Sequence, residues 1–384
     1  MLLLHKGFDA LDLALPMTIS TGLSDEIDGV KAFLNSIQQS EGNIDFERNN
    51  LIIFPNGARG GYAYHCKFAE TQNHWFFKKP SDKRDKWGTR ISCAARNLAL
   101  DGIQGVREQL SKELDFLKLV YEPGTESLGR VDFALDFLAP DFILNPDHFI
   151  MHARNGWSEH ITDEMEVHGR SGRTTSVTIG KNPNRQIIVY DKREETIKKP
   201  SHMPIIWEDS LGRMNEPLPD WSQPALSRVW RVEIRFFKEY LKNKAGVRTF
   251  ADLALALPEM LRKIVDQIRY TIPTSDSNRA RWPDHPLWQR VREEIDCDFS
   301  TIRSEVDKES VDAFVLAEKD QYLARQIAGC ILNRAALRGV ELDGLTNFTM
   351  SQAKMIAENY EAMCDRTKEK LDQAKLKYGV GRPL

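Results

Sequence analysis

LGRVDFALDF, residues 128–137, alternates without a break: Val131, Phe133, Leu135 and Phe137 share one parity, and Arg130, Asp132, Ala134 and Asp136 the other. Successive side chains of a strand point to opposite faces, so this segment is a strand with one apolar and one charged face. VWRVEIRFF (229–237) repeats the arrangement, with Trp230, Val232, Ile234 and Phe236 opposed to Arg231, Glu233 and Arg235. Between them, NRQIIVYDKREETIKK (184–199) reads as a strand over Gln186–Tyr190 that ends in a tyrosine and then breaks into charge. A sheet face that collects so many ionisable groups is not ordinary core. Its charges must be paired, solvated or bound to metal.

Upstream, LIIF, GYAYHCKFA and HWFFKK read as strands from Leu51 on, punctuated by Asn56-Gly57 and Gly60-Gly61 turns, and TRISCAAR (89–96) as a further strand. GVREQLSKELDFLKLV (105–120) sets Val106, Leu110, Leu114, Leu117 and Val120 at helical spacing. Residues 1–45 show little pattern beyond one amphipathic helix at Asp25–Gln39. Downstream of the first strand, Asn145-Pro146-Asp147 announces a helix, with asparagine as N-cap and proline at its first position. MEVHGR, TTSVTIGK and RQIIVY follow as strands, the last two a hairpin across Gly180–Asn184. Pro200–Pro224 holds five prolines and reads as a surface insertion; WRVEIRFF then closes the sheet. Beyond Lys242 the period becomes helical, with helices expected at 250–270, 287–295, 310–338 and 350–378. The last carries Ile356, Tyr360, Met363, Thr367, Leu371 and Ala374 on one stripe, read as domain packing or, alternatively, a homodimer contact. The fold class is α+β: an antiparallel-rich central sheet with packed helices, followed by a helical C-terminal domain. The expected divisions are an N-terminal segment 1–48, a sheet domain 49–245 with the insert 200–224, and a helical domain 246–384.

The totals narrow the function classes. At 384 residues two domains are expected, and 41% apolar with 28% charged is ordinary for a folded protein of the cytoplasm. A net charge of −3 leaves nucleic-acid binding open, because the sign of a local patch matters more than the sum. Five cysteines without a CxxC pair indicate neither a zinc site nor a disulfide framework. The opening lacks a signal peptide's basic start, and no apolar run nears the ~18 residues of a membrane helix, so no membrane partner is expected.

The charged face defines the expected chemistry. Tyr190, between Arg185, Lys192 and Arg193, is well placed to meet a phosphate. A phenol with an ordinary pKa near ~10 is a weak nucleophile and needs help. Asp132, Asp136 and Glu233 offer hard oxygens without histidine or thiolate partners, a set suited to Mg²⁺ or Mn²⁺. In-line attack by Tyr190 on DNA would displace a 3′-hydroxyl, with Lys192, Arg231 and Arg235 offsetting charge on the phosphate. The product would be a 5′-phosphotyrosyl bond. Tyr240 is the rival nucleophile, though its spacing from Phe236 and Phe237 suggests packing. His152, His160 and His168 are scattered, and neither a His-x-His pair nor a G-x-x-x-x-G-K-[ST] loop occurs, so a host helicase would be borrowed. KKPSDKRDKW (78–87), after Trp75, Phe76 and Phe77, offers charge and stacking for DNA or is a plain solvated loop; Arg279, Arg281, Arg290 and Arg292 beside Trp282 and Trp288 raise the same question.

These segments resemble the Rep_trans family, the replication initiators of rolling-circle plasmids, with related proteins in phages and conjugative elements. LGRVDFALDF is similar to the family's R-x-D-x-x-x-D strand, SVTIGKNPNRQIIVYDKREE to its glycine-turn-to-tyrosine segment, and VWRVEIRFFKEYL to its W-R-x-E strand. The match covers roughly residues 50–245. The resemblance implies a nicking tyrosine at Tyr190, metal-binding acids at Asp132, Asp136 and Glu233, and an origin DNA that is single-stranded at the nick. Two alternatives stay open: a relaxase acting on a transfer origin, and a binding-only initiator or repressor.

Overall fold

The computed structural model describes residues 1–37, 42–46, 49–82, 84, 86–151 and 165–378. The chain begins with β1 (Leu2–Leu15) and α1 (Thr21–Ile37), then runs through β2 (Gly42–Phe46), β3 (Asn49–Phe54), β4 (Tyr64–Phe68), β5 (His74–Phe77) and β6 (Thr89–Ser92) into α2 (Ala95–Phe116). It continues with β7 (Ser127–Leu138), β8 (Phe149–Met151), β9 (Met165–Arg170), β10 (Arg173–Gly180), β11 (Arg185–Asp191), the short α3 (Lys192–Lys198), α4 (Met203–Arg213) and β12 (Val229–Phe237). Helices α5 (Phe250–Gln267), α6 (Pro286–Glu294), α7 (Lys308–Leu337), α8 (Leu345–Ala362) and α9 (Cys364–Tyr378) follow, with β13 (Ile268–Tyr270) paired to β8 between the first two. The fold is α+β, as the sequence suggests.

Eleven strands make one sheet in the order β2-β3-β4-β5-β6-β1-β7-β12-β11-β10-β9, each neighbouring pair antiparallel. Its two halves have the same plan. β1 leads to an antiparallel run whose last strand, β6, returns to pair with β1, and α2 follows; β7 leads to a run whose last strand, β12, returns to β7, and α5 follows. One face is core: Leu11, Phe133, Val232, Ile187 and Val177 lie with Leu110 of α2, Leu261 of α5 and Trp288 of α6 in a single apolar cluster. Full burial of each such side chain contributes ~1.5–3 kcal/mol. The helix expected at 105–120 starts earlier and bends at Gly102, whose φ of 65° and whose Cβ position 2.4 Å from the Ile302 carbonyl oxygen leave room for glycine alone.

Several expectations are corrected. Residues 1–48 are not an unpatterned lead: β1 is a central strand, paired with β6 on one side and β7 on the other. β12 does not close the sheet but lies inside it, between β7 and β11. Asn145 does cap Asp147 N–H, yet only a 3₁₀ turn over Pro146–His148 follows before β8. The proline-rich insert contains α4, whose Ile206, Trp207 and Leu211 are buried. The last helix is two, broken at Met363.

The chain forms two compact units, residues 1–197 with 203–306, and residues 198–202 with 307–384. α5 and α6 therefore belong with the sheet, and the division expected near 245 falls at 306. The second unit is built of α7, α8 and α9, and Ile327, Leu332, Tyr360 and Leu371 on them are exposed. No described helix is long and apolar enough to cross a membrane.

Candidate active site

The face opposite the core carries the charges read from sequence. Tyr190 stands at the end of β11, opposite Arg231. The next residue fixes that end: Asp191 Oδ1 accepts the Glu194 N–H at 3.0 Å, and its Oδ2 accepts from Arg173 at 2.9 Å. The strand cannot fray without losing the turn that starts α3.

From Tyr190 a chain of contacts crosses three strands. Its hydroxyl donates to Glu233 Oε2 at 3.0 Å. Glu233 Oε1 accepts from Arg235 Nε at 2.6 Å, and that nitrogen lies 3.4 Å from Asp132 Oδ2. Arg130 Nε donates to both Asp132 oxygens at 3.0 Å. The acids are sealed, Asp132 at 0% and Glu233 at 1% side-chain exposure, whereas Arg130 and Arg235 keep 32% and 28%. Guanidinium, not carboxylate, is what this cluster offers to an approaching anion.

Beside it lies a second cluster, in which Arg231 and Asp136 are fully buried and Asp9 keeps 27% exposure. Arg231 grips Asp136 with Nε at 2.6 Å and Nη2 at 2.9 Å, and donates from Nη1 to Asp9 at 2.6 Å. Trp207 of α4 donates its indole N–H to Asp136 Oδ2 at 2.9 Å. Burial opposes the charge on Asp136, but Arg231 outweighs it and holds the carboxyl below its usual range. His5, opposite Asp136 on β1, is pushed down to about 4 by burial, with Asp136 pulling the other way, and is neutral at physiological pH. Lys192 sits with its ammonium 5.6 Å from the Tyr190 ring centre and pairs with Glu195 at 2.8 Å.

Two titrations set the chemistry. Burial, with Glu233 and despite Arg231, raises the Tyr190 phenol well above its ordinary value. Burial also raises Asp132, against the pull of Arg130. The resting phenol is therefore protonated, and the acceptor already in line for its proton is Glu233. The residues expected to share a metal do not form a cage. Asp136 is spent on Arg231 and Trp207, Asp132 and Glu233 are bridged by Arg235, and among the described residues no group of three or more His, Cys, Asp or Glu is placed to hold an ion. The donor set fits neutralisation by guanidinium rather than a metal shell.

The structure thus brings together Tyr190, Glu233, Arg235, Asp132 and Arg130, and sets Arg231 and Asp136 behind them. Sequence reading missed Asp9, His5 and Trp207. Met203, Ile206, Trp207 and Leu211 do recur at helical spacing, a signal hidden by the prolines around them. Tyr240 is packed on Phe236, with ring centres 5.2 Å apart. The arginines of 279–292 are paired internally, Arg292 with Asp284 and Arg290 with Glu294 among them, and Trp288 is core. His168 lies on exposed β9; His152 and His160 fall outside the described residues.

No protein-family model matches the chain, and no curated protein matches it. Among solved structures it is similar to a rolling circle replication initiator protein from Geobacillus stearothermophilus, at 14% identity and a TM-score of 0.36, over 76% of this chain and 96% of that one. The resemblance to the Rep_trans family accordingly rests on the three motifs alone.

Proposed function

We propose that this chain nicks DNA through Tyr190 to start rolling-circle replication. Tyr190 Oη attacks the scissile phosphorus, the bond to the 3′-oxygen breaks, the phenolic proton passes to Glu233, and the leaving 3′-oxygen takes a proton from water. Arg235 and Arg130, which retain exposed edges, hold the phosphate and offset its developing charge. Arg231 acts through position: saturated by Asp136 and Asp9, it braces the strand opposite Tyr190. The observation that carries the reading is the 3.0 Å hydrogen bond from the Tyr190 hydroxyl to Glu233. Origin DNA, a host helicase and a cytoplasmic setting belong to this reading, and the exposed apolar residues of α7–α9 make self-association part of it.

Supercoiled plasmid carrying the gene with its flanking DNA tests it. Wild-type protein is expected to relax the plasmid, Tyr190→Phe to leave it supercoiled, and Glu233→Gln to slow relaxation by ~10²-fold or more. Undiminished relaxation by Tyr190→Phe removes that residue from the mechanism. Running the reaction in Mg²⁺, in Mn²⁺ and in EDTA separates a reaction carried by Arg130 and Arg235, which EDTA leaves untouched, from one that recruits an ion. A binding-only reading is favoured by the saturated acids. It expects tight, salt-sensitive DNA binding and no nicking under any of these conditions.

A further inference from the structure

The charged face does not end at the candidate site. Register carries it across the sheet: Arg130 lies opposite Asp12, Asp12 opposite Ser92, Ser92 opposite His74, and His74 opposite Lys67. A parallel row runs through Arg90, Phe76, His65 and Phe54. In the plan shared by the two halves, β6 and β5 hold the places that β12 and β11 hold around Tyr190. The first half therefore turns the same face outward, but with rings and cations where the second half has its acids and its phenol.

The row is a stack. Phe54 and His65 lie with ring centres 4.1 Å apart at 16°, His65 and Phe76 at 4.6 Å and 18°, and the Arg90 guanidinium caps Phe76 at 4.3 Å. Tyr62 extends it beside Phe76 and Arg90, and the ammonium of Lys78 lies 5.6 Å from the Tyr62 ring centre. Among the described residues no hydrogen bond or ion pair engages the Arg90 side chain, and its Nε is a buried donor without a partner. Burial, His74 and Arg90 push His65 down to about 4, so the rings are neutral and the positive charge comes from lysine and arginine. Neutral aromatic rings flanked by cations suit bases and phosphates at once.

We propose that this face of β3–β6, centred on Phe54, His65, Phe76 and Arg90, is a platform for single-stranded DNA, holding the strand that flanks the nick. The flanking position rests on the nicking role of Tyr190; strand binding does not. Six inter-strand steps separate β4 from β11, ~29 Å at the usual spacing, so a flank of roughly ten nucleotides reaches from one to the other. Of the residues around the run KKPSDKRDKW, Trp75 and Phe77 point to the core, Phe76 points to this face but is only 8% exposed, and Lys78 lies beside Tyr62 at 3% exposure.

The test is fluorescence anisotropy with a labelled 30-nucleotide DNA strand, its duplex and the RNA of the same sequence. Wild-type protein is expected to prefer the DNA strand. His65→Ala should weaken binding at least about fivefold, and Arg90→Gln should lower the slope of log Kd against log salt by about 0.7. Ultraviolet cross-linking of iodouracil-substituted strand to the wild-type protein, mapped by peptide mass, guards against a variant that merely misfolds and should label peptides within 54–90. Cross-links confined to other segments, wild-type affinity in both variants, or preference for duplex or RNA would each overturn the platform. Loss of binding in the variants from a protein that never nicks would leave the platform standing and sink the nuclease reading instead.

Discussion

At Tyr190 the phenol is held back by its surroundings, since burial keeps its proton on, and Glu233 is both the group that raises it and the group that can accept that proton. On the proposed nicking role, the phenol stays dormant until a phosphate reaches the arginines already beside it, an arrangement expected where stray attack would be costly. The same reasoning reaches His65, where the cause is again burial, with His74, Arg90 and Lys67 adding to it. Its folded pKa lies below the unfolded 6.5, so it costs no stability above pH 6.5 and destabilises progressively as pH falls from 6.5 to about 4. In a histidine NMR titration the His65 ring protons should move with a midpoint near 4; a midpoint at or above 6 would show that the stack is open to water and the ring charged.

Among the elements, β7 and β12 define the sheet; the alternation seen in sequence separates an apolar face from a charged one, both almost wholly buried, with Arg231 and Asp136 facing each other across the pair. That pair is a structural commitment. Arg231→Met strands Asp136 as a buried, uncompensated charge and should cost about 3–5 kcal/mol in urea unfolding, much of it recovered in Arg231→Met with Asp136→Asn. A loss below about 1 kcal/mol would mean that water reaches the carboxylate. These strands were legible because apolar and ionisable residues alternate along them with period two and no interruption. β1 was not, for a physical reason: its register shifts between Phe8 and Ala10, where Asp9 makes an extra residue, so Phe8 and Leu11 lose the common parity that would have shown a strand. The same bulge frees Asp9 to reach Arg231. α4 was obscured differently, by prolines that read as loop although the residues between them keep helical spacing.

On the scale of the whole molecule, the first unit is one long sheet with its core on one face and its chemistry on the other, the second half bearing acids and a phenol and the first half bearing rings and cations. The motifs gave the position of Tyr190 and its acids but not the division of those acids into two clusters. That division is made by Arg235, Trp207 and Asp9, which come from separate elements and meet only through the sheet's register. The central claim is that Tyr190 becomes covalently joined to DNA, and the direct measurement is intact-protein mass together with a denaturing gel, after mixing with end-labelled single strands cut from the gene's flanking DNA. The account predicts a labelled species that survives denaturation, its mass raised by the fragment carrying the 5′-phosphate, and its modified peptide containing Tyr190. An adduct formed equally by Tyr190→Phe, or none from wild-type protein with Mg²⁺, Mn²⁺ or chelator, would contradict it.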